Sequence, residues 1–234
     1  MIRILTATRT LSPARISRPE FITGGCVLEL KMDEGEGVVV HDSSGYGNHG
    51  DLKPGPAPNY PSWVDGYYGK ALSFDGVDDY VEVIMAHPTG EGTHSAWIKL
   101  NSYPPAGKYF AATMWTTASK QWWHWAIKVS DTKKAQGRWY DGSSKTITGV
   151  TDLSLNTWYQ ITITAKNNDY GRLFVSGIEE GTPVAIGTLV TGGDRVHLSF
   201  YRPTYEPFNG LIPEVYIYSF ADYAPRILER AIGG

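Results

Sequence analysis

A single cysteine, Cys26, stands in a chain of 234 residues, which excludes an intrachain disulfide framework and any multi-cysteine zinc site. Charge is scarce as well: Asp, Glu, Lys and Arg make up 19% of the residues, below the roughly 25% of average globular domains. The net charge of −3 excludes a strongly basic nucleic-acid binder by bulk electrostatics. Lys133, Lys134 and Arg138, with Lys120 and Lys128 nearby, form a small basic cluster rather than a stripe and read as solvated surface. No apolar run reaches the 18 or so residues that suggest a transmembrane helix. The opening, MIRILTATRTLSPARISRPEF, lacks the apolar stretch of about 7–15 residues of a secretory signal, so ordinary secretion is not expected. His-Glu-x-x-His, Gly-x-Ser-x-Gly and phosphate-binding glycine loops are missing too.

What the chain does have is aromatic and turn chemistry: 15 Tyr, 8 Trp, 26 Gly and 14 Pro. From Cys26 onward, short β runs alternate with Gly, Pro, Asn and Asp. Strands are expected at 26–31, 38–41, 71–75, 80–84, 94–100, 108–114, 121–130, 136–140, 157–165, 170–176, 184–190, 195–201 and 211–219. In TWYQITITA, Tyr159, Ile161, Ile163 and Ala165 share one face, opposite Trp158, Gln160, Thr162 and Thr164. In ALSFDGVDDYVEV, the Asp75-Gly76 pair between two alternating runs reads as a hairpin turn, with Leu72, Phe74, Val81 and Val83 apolar. Many short strands of this kind give an all-β, two-sheet antiparallel jelly-roll sandwich, because two packed sheets bury apolar faces that one sheet would leave in water. A short C-terminal helix is expected over 222–231, with Asp222 as its cap and Pro225 in its first turn. The chain divides into an N-terminal arm, 1–25, and one domain, 26–234.

Three stretches resemble the laminin G-like, concanavalin A-like jelly-roll family of lectins and glucanases. They are LELKMDEGEGVVVHDSSGYGNHGDL at 28–52, GYYGKALSFDGVDDYVEV at 66–83 and FNGLIPEVYIYSFADYAPRIL at 208–228. The second is similar to the family's Gly-x-x-Gly-x-Ala-Leu-x-Phe-Asp-Gly-x-x-Asp-Tyr-Val pair of strands. Weaker matches lie between them, so the resemblance covers roughly residues 26–230 and leaves the arm outside. It implies a structural Ca²⁺ in the 42–51 loop, held by Asp42, Asn48 and backbone oxygens around Gly50, since a hard cation takes six to eight oxygens. The family's closing strand usually supplies Ile-Asp-Glu-Val, whereas this chain has Ile-Pro-Glu-Val: Pro213 removes that carboxylate and Glu214 points to the opposite face. The alternative is a glycine-rich turn held by Asx hydrogen bonds without metal.

Alternation in QWWHWAIKVS places Trp123, Trp125, Ile127 and Val129 in the core, and Trp122, His124, Ala126 and Lys128 on the other face. Trp122 and His124, with Trp115, Tyr140, Tyr201, Arg202 and Tyr205 near strand ends or loops, are the candidate glycan-contact residues. The competing reading is that these aromatics fill cores. A retaining glycosidase needs two carboxylates about 5–5.5 Å apart, and the Glu-x-Asp-x-Glu strand signature of laminarinase-type relatives is absent. Glu34 with Glu36, and Glu179 with Glu180, read as solvated turns, and His41, His49 and His87 as surface residues. No enzymatic activity is expected. Two functions remain: a stand-alone carbohydrate-binding module, or a structural protein on the extracellular surface of a virion or similar particle that also touches glycans. The second is favoured by the missing signal and by an arm whose Arg3, Arg9, Arg15, Arg18 and Phe21 suit docking onto other subunits of a homo- or hetero-oligomer. A cytoplasmic location is the alternative, and a glycoside hydrolase or lyase the remaining minor one.

Overall fold

The computed structural model describes residues 25–53, 60–116, 123–190, 192–199 and 205–221. The arm and the expected terminal helix lie outside these residues. The chain begins with β1 (Cys26–Leu30), β2 (Val39–Val40), β3 (Gly50–Lys53), β4 (Ser62–Asp65), β5 (Lys70–Asp75) and β6 (Tyr80–Ile84). The long central strands follow: β7 (Glu91–Leu100), β8 (Tyr109–Thr116), β9 (Trp123–Ser130), β10 (Ala135–Tyr140), β11 (Ser144–Thr148) and β12 (Trp158–Lys166). The last are β13 (Tyr170–Val175), β14 (Ile178–Ala185), β15 (Arg195–Leu198), β16 (Tyr205–Glu206), β17 (Asn209–Ile212) and β18 (Val215–Tyr218).

They form two sheets. The first runs β14-β13-β12-β7-β17-β5-β4, with β18 bridging β7 and β1. The second runs β11-β10-β9-β8-β15-β6-β3-β2, and β16 adds to β8 in parallel. Alternate side chains of both sheets meet in one cluster: Leu28, Ile98, Ile161, Ile163 and Ile217 from the first, and Val81, Phe110, Trp125, Ile127 and Leu198 from the second. Each such aliphatic removes about 1.5–3 kcal/mol worth of apolar surface from water. The expected all-β jelly-roll sandwich is the fold found.

At one end of the interior, four rings pack together. His87 lies 4.1 Å from Trp115 and 5.3 Å from Trp125, while His94 stacks on Trp125 at 4.8 Å. The indole of Trp115 is fully buried, and a side chain on Gly193 would come within 2.2 Å of it, so only glycine fits that approach.

The structure corrects several expectations. Trp115, a candidate glycan contact near a strand end, is instead fully buried, because a register shift between Ala111 and Thr113 turns it inward. Phe110, Ala112 and Trp115 therefore all face the core. Asp75-Gly76 is not a hairpin: β5 belongs to the first sheet and β6 to the second, so this turn is a corner between layers, closed where Asp75 N donates to Asp79 Oδ2 (3.0 Å). The strand expected at 184–190 is instead β14, because Ser176 and Gly177 both adopt positive φ and set a two-residue hairpin turn after β13. His87 is buried rather than on the surface.

Burial pushes the His87 imidazole down to about 4, with His124 adding to the effect; it pushes His94 well below its usual value, with His87 adding there. Between pH about 6.5 and about 4 the unfolded chain takes up protons that the native imidazoles refuse, so native stability drains away as pH falls through that window. Urea unfolding from pH 7 to pH 4 should show the wild type losing on the order of 3 kcal/mol more than His87→Phe. Equal losses would show that His87 does not carry this dependence.

Candidate functional site

With Trp125, Ile127 and Val129 inside, strand alternation turns His124, Ala126 and Lys128 of β9 to the outer face of the second sheet. The register sets Gln136 opposite Lys128 and Arg138 opposite Ala126, and Met114 of β8 opposite Ala126 on the other side. Ala111, Met114 and Ala126 form a small buried apolar floor, with Tyr109 packed against it. Polar and aromatic groups surround this floor. The Lys128 ammonium sits 4.3 Å above the Tyr109 ring, Arg138 Nε donates to Ser144 Oγ (2.9 Å), and His124 meets Tyr140 edge-on at 6.3 Å. Gln136 Nε2 donates to Thr148 Oγ1 (2.9 Å), leaving its own Oε1 and His124 Nδ1 buried without a partner. Such groups are costly to leave unmade.

Two cations share this face. Burial pushes the Lys128 amine down to about 8, and the positive Arg138 adds to the effect. The His124 imidazole is lowered by the same two causes in the same order. Farther across the sheet, Glu82 Oε2 is 3.3 Å from His197 Nε2 and 3.5 Å from Arg195 Nε. Strands β8 to β11 contain no Asp or Glu.

Of the residues expected to touch a glycan, the structure brings His124 and Tyr140 together and sends Trp115 inward. Trp122, Tyr201 and Arg202 lie outside the described residues, and Tyr205 is described only by its backbone, paired with Tyr109. Lys128, Gln136 and Arg138 were not singled out for this site; the alternation of β9 gave the face, but only strand pairing sets β10 beside it.

The 42–51 loop does not fit a cation. Asp42 Oδ1 accepts from Glu29 N and Ser44 N (both 2.9 Å), and Oδ2 from Ser44 Oγ (2.8 Å) and Asn48 N (2.9 Å). Although burial alone would raise it, these bonds hold the carboxyl below its usual range. Donors occupy the lone pairs that Ca²⁺ would use. Asn48 Nδ2 donates to Val27 O (2.9 Å), and Gly50 lies in β3 against Val81. Three carboxylates do gather at the corner between the sheets, where Asp75, Asp78 and Asp79 bring oxygens within 4.8 Å. Asp79 is pushed up to about 6 by burial and by the other two. The acid pairs have structural roles. Glu180 is buried rather than solvated, accepting from Val150 N (2.9 Å) and Thr151 N (3.2 Å). Glu179 pairs with Arg172 (2.6 Å), and Glu34 accepts from His41 N (2.7 Å).

A family model described as the concanavalin A-like lectin/glucanases superfamily matches residues 75–227. Among curated proteins, none matches the sequence. Solved structures share the fold at low identity. The binding domain of Paraclostridial Mosquitocidal Protein 1 is 16% identical with a TM-score of 0.69, covering 89% of this chain and 52% of its own. The botulinum neurotoxin type C structure, described as dependent on two ganglioside molecules for cell entry, is 14% identical with a TM-score of 0.70, covering 90% and 51%. The binding domain of botulinum neurotoxin DC, in complex with rat synaptotagmin II, gives 14%, 0.70, 90% and 52%. The present chain thus spans about half the length of these proteins.

The loop geometry carries an expected outcome. Asp42→Ala should lower unfolding free energy by about 2–3 kcal/mol, while chelation with EDTA leaves the melting temperature of the wild type unchanged. A melting temperature that falls on chelation would restore the cation to this loop.

Proposed function

The chain belongs to the concanavalin A-like lectin/glucanase superfamily, and on that premise we propose that it is a non-catalytic module that binds an acidic saccharide on the outer face of its second sheet. The observation that carries this reading is the composition of that face: the cations Lys128 and Arg138 with the hydrogen-bonding His124, Gln136 and Tyr140, on strands that have no acid. Arg138, Tyr109 and Tyr140 are half-buried and form the accessible rim, with His124, Lys128 and Gln136 beneath them. A carboxylate or sulfate beside Arg138 would relieve the repulsion that lowers Lys128 and would form charge-assisted, bidentate contacts. Beneath this rim, His124 Nδ1 and Gln136 Oε1 are buried atoms with unmet hydrogen bonds. Bond cleavage would need a pair of carboxylates flanking the sugar, which these strands do not provide. The similar structures described as binding or receptor-binding domains support binding over catalysis.

A glycan array of neutral, sialylated and sulfated oligosaccharides tests this. The wild type should prefer acidic glycans, and Arg138→Ala should weaken them at least about tenfold. Because Lys128 loses its charge as pH rises through about 8, binding should decline between pH 7 and pH 9. An array with no acidic glycan bound, or wild-type binding by Arg138→Ala, would refute the assignment.

A further inference from the structure

On the first sheet, the turn between β4 and β5 carries Gly66-Tyr67-Tyr68-Gly69. Gly66 N donates to Gly69 O (2.9 Å), Gly69 has φ +76, and a side chain on Gly66 would come within 2.6 Å of the Lys70 carbonyl oxygen. Below the turn, Lys70 and Asp65 close the hairpin with an ion pair of 2.8 Å. The two glycines belong to the pattern shared with the family, whereas the two positions between them are open in it; here both are tyrosine.

This turn lays Tyr67 across the outer face of the sheet. Its ring stacks on Trp97 of β7 at 5.0 Å and 20° and tilts against Trp158 of β12 at 5.9 Å, with Tyr68 edge-on at 4.3 Å. Tyr67 remains 46% exposed. The register places Lys99 opposite Trp158 and Gln160 opposite Trp97. Lys99 Nζ lies 4.9 Å from the Trp158 ring centre. Gln160 is buried, with its Oε1 lacking any partner.

We propose that Tyr67 and Trp158 form a stacking site for a pyranose ring on the first sheet, with Lys99 as its hydrogen-bonding partner. Shielding Trp97 would take one apolar side chain; it would not require an aromatic ring left 46% exposed and an ammonium held beside a second indole at the same place. A sugar ring supplies what this arrangement lacks, since its C–H face lies on an aromatic ring while its hydroxyls reach polar groups at the edge. Strand addition does not suit the site, because β7 and β12 are paired on both sides. A lipid surface does not suit it either: Lys99 is the one cation beside the rings, and Lys70 on the adjoining hairpin is paired with Asp65. The Tyr68 hydroxyl, pushed up to about 12 chiefly by burial, stays a donor at physiological pH. This site is on the sheet opposite Arg138 and does not depend on the acidic-saccharide reading.

Titration of the ¹⁵N-labelled full chain with the methyl glycosides of glucose, galactose, mannose and N-acetylglucosamine, one at a time, decides it. At least one should shift the Trp158 indole N–H and the Tyr67 amide. Tyr67→Ala should weaken that glycoside about tenfold, with Tyr67→Phe retaining it and Arg138→Ala without effect. If no glycoside moves the Trp158 signal, or if Tyr67→Ala binds as the wild type does, the site is not a saccharide platform.

Discussion

Two sheets that share one apolar interior leave each strand little choice about which side chains it turns outward. Once Trp125, Ile127 and Val129 are inside, His124 and Lys128 must face out, and the partner strand β10 has to present Gln136 and Arg138 beside them. The same constraint acts on β12, where Ile161 and Ile163 in the core put Trp158 and Gln160 on the opposite surface. Both proposed sites follow from core packing, because a slip of one residue would exchange every inward group for an outward one. The Trp115, Trp125, His87 and His94 ring cluster holds that alternation at the end of the sandwich where β8 and β9 meet.

Strands β8 to β11 of the second sheet carry cations and no acid. Lys128 is removed from water and feels the positive charge of Arg138 at the half-buried rim, so its proton is loosened. Arrangements of like charge that lower each other's affinity for protons are well suited to receive an anion. Some acids elsewhere in the chain have structural roles: Asp42 ties one loop, Glu180 another, and Asp75, Asp78 and Asp79 gather at the corner between layers.

The sandwich was legible in the sequence because period-2 alternation and Gly/Asp turns are local signals, and the inward residues of β9 and β12 follow from them directly. Trp115 was not, since the shift at Ala111–Thr113 has no mark in YFAATMWT beyond small residues. The corner at Asp75-Gly76 looks like a hairpin in sequence because turn chemistry fixes a reversal but not which sheet receives the next strand. Strand β11 carries little signal because SKTIT, at an edge, has a single apolar residue, Ile147, and so shows no alternation. The pairing of Lys128 with Gln136 is a contact between strands, visible only once register is known. The arm and its arginines lie outside the described residues.

The most direct measurement is a crystal structure of the full chain soaked with a sialylated or sulfated oligosaccharide, together with analysis of the soak for cleavage products. The expected result is intact ligand with its acidic group at Arg138 and its ring beside Tyr140. Density on another surface, or a hydrolysed glycan, would contradict it.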